Sequence, residues 1–272
     1  MLHFFIVKKI MIIKEVIMDI SKFMANANEK PLDNLVENGG FCSIFKKIAV
    51  IGDSLASGEF ELIRNGEKTF HDMYDYSWGK FMANDAGIEV VNYSRGGMTA
   101  KEYCESFAEE NGLWKESEKA NAYIIALGVN DANLKLEVGT KKDIDLSDYK
   151  KNKPTFIGYY AKIIQRYKEI SPGAKFFPVT PPYFLNYEKS NYDKIASAIE
   201  EISNIFSDAY LIDLKKYGPD YTDKKFIDAF FLNGHFSPAG YRLSAKIMAS
   251  YIDYIVRHNP QEFKEIAFTG NL

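Results

Sequence analysis

The sequence is poor in the residues that staple small domains or bind soft metals, with only two cysteines, Cys42 and Cys104, among 272 residues. Two thiols define no disulfide framework, and neither a CxxC spacing nor a His/Cys cluster suggests zinc, so no metal or other cofactor is expected. Free thiols of this kind fit a reducing cytoplasm. Basic residues are not in excess: 34 Lys+Arg stand against 37 Asp+Glu, a formal net charge of -3. Neither a nucleic-acid nor an anionic-membrane partner is suggested. No GxGxxG or GxxxxGK[ST] follows the first apolar run, which places a flavodoxin-like nucleotide binder low.

What the chain does contain is core material, 46% of it hydrophobic. Short apolar runs recur at Ile48–Ile51, Ile88–Tyr93, Ala122–Leu127, Phe176–Val179 and Tyr210–Leu214. Nearly continuous runs of this length, separated by helical stretches, predict buried parallel strands in a βαβ succession. The intervening helices are expected at Ser77–Asp85, Ala100–Glu110, Thr155–Ile170 and Tyr192–Phe206, the third with apolar side chains at three- and four-residue spacing. A last helix opens at Ser237, with Pro238 in its first position. The expected architecture is a three-layer α/β/α sandwich around a five-stranded parallel sheet, formed by one domain over residues 46–272. Residues 18–45 are read as a polar extension packed on it.

Four segments carry chemistry. The first apolar run ends in Gly52-Asp53-Ser54, and Gly234-His235 stands just ahead of the last helix. A serine hydroxyl is a poor nucleophile at neutral pH unless an imidazole takes its proton. In a parallel sheet the carboxyl ends of the strands share one crevice. The second run leads into Gly96-Gly97 ahead of Thr99, and the third into Gly128-Val129-Asn130. A glycine N–H and an asparagine amide are donors suited to the negative charge that develops on an acyl oxygen.

With these four segments in this order, from Lys46 to about Val256, the chain resembles the SGNH hydrolases, also called GDSL esterases and lipases. The resemblance implies a flavodoxin-like fold with Ser54 as nucleophile, Gly97 and Asn130 as oxyanion donors, and His235 as general base. Gly97 fits better than Gly96 because it lies two residues before Thr99. One position departs from the pattern: the aspartate usual three residues before the histidine is Leu232 here. A Ser/His dyad, its imidazole held by a backbone carbonyl near Leu232 or Asn233, is favoured over a triad using Asp228.

Only four histidines are available as a base, and of these His3 lies in a doubtful leader and His258 near the chain end. His71, in the aromatic stretch Thr69–Trp78 read as a loop, is the rival. Charged residues 134–153 are read as a surface excursion or a cleft wall, and the aromatics of Thr180–Tyr187 as a turn or an acyl or sugar platform. The function expected is a serine hydrolase of O-acyl esters acting on a small-molecule or carbohydrate substrate. The alternative is a catalytically impaired ligand-binding protein of the same fold.

The first residues remain. Lys8, Lys9, Lys14 and Glu15 interrupt the apolar stretch Met1–Met18, which falls short of the ~20 residues of a membrane span and lacks the order of a signal peptide. Lys14-Glu15-Val16 can be encoded by a ribosome-binding sequence at the proper distance from Met18. Residues 1–17 are therefore expected to be an untranslated leader, and the intact mass of protein made from the native gene should begin at Met18 rather than retain Leu2.

Overall fold

The computed structural model describes residues 20–184 and 187–270; the proposed start at Met18 and its leader lie outside them. The chain lays down β1 (Lys47–Gly52), the short helix α1 (Ser54–Ser57) and a hairpin of β2 (Glu59–Arg64) and β3 (Glu67–Asp72). Helix α2 (Trp78–Ala86) leads to β4 (Glu89–Ser94). Next come α3 (Ala100–Glu102), a π-helical segment (Tyr103–Phe107), α4 (Ala108–Glu110), β5 (Ala122–Ala126) and α5 (Val129–Asn133). Helix α6 (Phe156–Ile170), β6 (Lys175–Pro178), α7 (Lys189–Ile205), α8 (Leu214–Tyr217) and α9 (Lys224–Phe230) follow. Two-residue strands β7 (Phe231–Leu232) and β8 (His235–Phe236) hand the chain to α10 (Pro238–His258).

Strands β4, β1, β5 and β6 lie side by side in that order, all parallel. Alternation within each strand divides the core. Ala49, Ile51, Tyr123 and Ile125 pack with Ile157 and Ile164 of α6 and Ile195 and Ile199 of α7. Ile48, Val50, Ile124 and Phe177 pack instead with Met82 of α2 and Ile247 and Ile252 of α10. Side chains on opposite faces of one pleat thus build two apolar layers, and the predicted α/β/α sandwich is the observed one.

The fifth expected strand departs from the prediction in part. Residues 209–212 join β6 only through two parallel bridges, Phe176 to Ala209 and Val179 to Ile212. The backbone bonds on either side are formed, from Tyr210 N to Phe176 O at 2.8 Å and from Ile212 N to Pro178 O at 2.8 Å. Between them the ladder needs a donor from residue 178, and proline has no N–H. Four continuous strands and one interrupted edge are the result.

Helix starts follow their capping signals. Ser77, Thr155 and Ser237 accept from the backbone N–H groups of Lys80, Gly158 and Gly240, and Pro238 occupies the first turn of α10. Helix α7 begins a turn earlier than expected, at Lys189. The hairpin of β2 and β3 is the main element the sequence reading misses, since it lies partly in the stretch taken for a loop. Its signal is Asn65-Gly66 between two alternating runs; both residues have positive φ, 53° and 83°, as a two-residue hairpin turn requires.

The described part of the extension, from Ile20, is fastened along α10. Glu29 pairs with Arg257 through two bonds of 2.7 Å, Arg257 Nε also reaches Asp253 at 2.8 Å, and Phe41 N donates to the same Asp253 at 2.8 Å. Both side chains of the Glu29–Arg257 pair are nearly buried, and the hydrogen-bonded guanidinium holds the Glu29 carboxyl down at about 2. A carboxyl lowered in this way stabilises the fold above its unfolded value near 4.5 and loses that contribution as pH falls toward 2. Arg257→Met should lower the unfolding free energy by about 3 kcal/mol at pH 7, because Glu29 and Asp253 are left nearly buried without their cationic partner. Urea titrations should show the difference from wild type shrinking between about pH 4.5 and 2.

Candidate active site

Strand β1 lies between β4 and β5, so its carboxyl end opens at the point where strand order reverses, the usual place for a ligand crevice. Asp53 leaves that end buried and caps α1, its carboxylate accepting from Leu55 N at 3.0 Å. This cap starts the helix at Ser54, which is partly exposed. The backbone carbonyl of Ser54 accepts from the Tyr241 hydroxyl at 3.2 Å. Among the described residues the Ser54 hydroxyl has no hydrogen-bond partner.

The other three segments gather around it. The end of β4 pairs with the end of β1, Ser94 opposite Gly52, and the chain then turns through Gly96-Gly97. Gly97 has φ of 72°, and nothing lies within 4 Å of where a side chain would project. Asn130 stands in α5, directly after β5. Its amide donates to Met98 O at 3.1 Å and, more loosely, toward Asp53 Oδ2 at 3.5 Å. One side chain therefore ties the glycine turn to the residue preceding Ser54. Beside it, buried Asp131 accepts from Ala100 N at 3.2 Å, fixing the start of α3.

His235 reaches this group from the α10 side, in β8, which packs beside α1. No hydrogen bond joins it to Ser54 among the described residues. Its neighbours correct the expectation for what holds the imidazole. Asp228 is exposed on α9 and its carboxylate is taken by Lys224 at 2.6 and 2.8 Å. Among the described residues no backbone carbonyl bonds the ring either. Two glutamates of β2 flank it instead: Nε2 lies 3.1 Å from Glu59 Oε1, and Nδ1 lies 3.5 Å from Glu61 Oε2. Nδ1 is buried and makes no hydrogen bond. Leu232, at the position usual for the acid, sits opposite His235 across the Asn233-Gly234 turn and joins the apolar core with α10.

Glu59 and Glu61 were missed because they lie far from His235 in sequence, on the unrecognised hairpin. Their spacing was the available signal, since residues i and i+2 of a strand share a face. The rival base His71 lies on exposed β3, its Nε2 2.9 Å from the Thr69 hydroxyl. His258 stacks on Tyr254 at the far end of α10, and His3 lies outside the described residues. Cys42 and Cys104 are free and buried, and burial pushes the Cys104 thiol up to about 12.

A serine at the switch point of a parallel sheet, with β4 and β5 beside it and a histidine before the last helix, describes an α/β hydrolase of the flavodoxin-like kind. The sequence model of the GDSL-like Lipase/Acylhydrolase family matches residues 48–248, and the chain belongs to that family. It is a hydrolase of ester bonds. None of the curated proteins matches it in sequence. Among solved structures it is similar to a family two carbohydrate esterase from Clostridium thermocellum in complex with cellohexaose, at 17% identity and a TM-score of 0.54 over 80% of this chain and 65% of that one. It is also similar to a lipase/acylhydrolase from Enterococcus faecalis, with 19% identity, a TM-score of 0.52, and coverage of 76% and 95%. The psychrotrophic esterase EstA from Pseudoalteromonas sp. is 16% identical, with a TM-score of 0.50 and coverage of 78% and 98%. At these identities the likeness is one of fold. No helix among the described residues is long and apolar enough to cross a membrane.

Burial pushes both Asp53 and Asp131 up to about 7. Between about pH 4 and 7 the folded protein then keeps a proton that the unfolded chain has lost, so stability falls as pH rises through that window. Asp53→Asn retains a cap and carries no charge. It should be more stable than wild type at pH 8, by on the order of 3 kcal/mol, and the two should converge near pH 4 in denaturant titrations.

Proposed function

We propose that the chain is a serine hydrolase that cleaves carboxylic esters through an acyl-enzyme on Ser54. His235 takes the hydroxyl proton as Oγ attacks the acyl carbon, gives it to the departing alkoxide, and then activates water for deacylation. The backbone N–H groups of Ser54 and Gly97 and the Asn130 amide receive the oxyanion. The observation that carries this reading is the cross-linking of the segments: Asn130 ties the glycine turn to Asp53, and Tyr241 of α10 ties the Ser54 backbone to the element that follows His235. The reading as an impaired binding protein rested on a missing carboxylate, and Glu59 and Glu61 beside the imidazole remove that motive.

The substrate we infer is a short O-acyl ester of a carbohydrate or another small molecule. An apolar cavity of about 50 Å³ is lined by Asp53 and Leu55, the neighbours of Ser54, together with Trp78, Val179, Phe236 and Met248. None of Ser54, Gly97, Asn130 and His235 lines it. A larger cleft of about 430 Å³ runs past Pro181, Pro182, Tyr183, Tyr192 and Tyr221, and such aromatic faces suit a sugar ring. The two unpaired thiols support a cytoplasmic setting.

Ser54→Ala should cut turnover of p-nitrophenyl acetate by at least about a thousandfold, and equal rates in both proteins would remove the enzyme reading of Ser54. Asn130→Ala should lower kcat by roughly a hundred- to a thousandfold. Across acetate, butyrate and octanoate esters, kcat/KM should fall with chain length; a maximum at octanoate would reject the short-acyl assignment.

A further inference from the structure

The imidazole of His235 sits between two carboxylates delivered by one strand of an inserted hairpin. We propose that Glu59 and Glu61 act together as positioning residues for His235, supplying from β2 the carboxylate that the segment before the histidine lacks. The proposal rests on Ser54 and His235 acting as nucleophile and base.

Geometry first places the pair. Glu59 and Glu61 are two residues apart and project from the same face of β2, while Phe60 between them turns into the core against Tyr241, ring centroids 5.3 Å apart. The register is pinned from both sides. Asn233 donates to Glu61 O at 2.8 Å, and the Tyr241 hydroxyl donates to Glu59 O at 2.6 Å as well as to Ser54 O. A shift of one residue would turn both carboxylates away from the ring.

Space is made for each carboxylate by a glycine. A Cβ on Gly96 would collide with Glu59 Oε2, and one on Gly234 would stand 2.5 Å from Glu61 Oε2. Glu59 thus spans from His235 Nε2 to the turn that carries Gly97. Glu61 is 4% exposed although β3 beside it is open throughout, a costly place for a carboxylate without partners. Lys68 satisfies one of its oxygens at 2.7 Å, and the other faces His235 Nδ1. A hairpin that needed only a strand-to-strand ion pair would have no use for burying the glutamate against an imidazole. The ring of Phe70 closes the remaining side, 5.8 Å from His235 and edge-on.

The proton inventory is simple. In acylation the Ser54 O–H bond breaks, its proton passes to one ring nitrogen, and the Oγ–C bond forms. The carboxylate beside the opposite nitrogen faces that N–H, which orients the ring and offsets the positive charge until the leaving alkoxide takes the proton. The carboxylates are neither consumed nor protonated.

The test is kinetic, on the full chain. Glu59→Gln, Glu61→Gln and the double variant are assayed with p-nitrophenyl acetate beside Ser54→Ala, with thermal unfolding as the check on folding. The double variant should lose about a thousandfold or more in kcat with KM within about threefold of wild type, and each single variant should lose less, since the other carboxylate remains. It should also react correspondingly more slowly with a fluorophosphonate, which reads nucleophile activation directly. A folded double variant that retains more than a tenth of wild-type kcat, or one whose loss lies in KM alone, overturns the proposal while leaving Ser54 intact. An unaffected Ser54→Ala would instead sink the reading beneath it. Should the double variant fail to fold, the single variants decide: neither losing as much as threefold in kcat would also overturn the proposal.

Discussion

A buried hydroxyl holds the candidate site together. Tyr241, in the first turns of α10, donates to the backbone carbonyls of Ser54 and Glu59. Three distant pieces of chain meet in that one group: the end of the central strand, the inserted hairpin, and the helix that follows His235. Its ring lies between Phe60 and Phe236, fully buried, so the hydroxyl cannot turn to solvent and must find its partners inside. An unpaired hydroxyl at that depth would cost a few kcal/mol. The geometry of the serine turn and that of the strand carrying the glutamates are therefore set by the same requirement.

The sheet supplies the other constraint. Parallel strands bring their carboxyl ends to one edge, and the residues that leave β1, β4 and β5 there have little room to do anything but meet. Asn130 illustrates this, its amide bridging Met98 O and Asp53. Two buried aspartates, Asp53 and Asp131, anchor the same rim through backbone N–H groups. They trade stability at neutral pH for a rigid turn under the serine, a common arrangement where function needs a fixed geometry.

Much of this was legible before any coordinates. Apolar runs gave four of five strands within a residue or two, because a buried parallel strand leaves an uninterrupted pattern. Ser237 marked the last helix start through the chemistry of the cap, and the helices expected from Ser77 and Thr155 begin one residue later, with those residues as their caps. Ser54, Gly97, Asn130 and His235 were singled out from their place after a strand or before a helix, and the fold brings those segments to one end of the sheet. The glutamates were not, since nothing local in Glu59-Phe60-Glu61 distinguishes it from an exposed strand whose charged face meets water. Only the tertiary docking of the hairpin turns that face inward. The break at Pro178 was visible as a proline, yet its effect depended on which neighbour would have used the absent N–H.

The hairpin changes what the vacant position before His235 means. Read along the chain, Leu232 is a missing acid; read in space, that side chain is partly buried against the apolar core, and carboxylates approach the ring from another direction. Residues 59–72 lie outside the four segments by which the family is recognised, although Tyr241, Gly96 and Gly234 hold them against three of those segments. A chain that kept those segments and lost the hairpin would pass every motif test with nothing beside its histidine, whereas one wired like this would be discarded by any rule that inspects only the residue three places upstream.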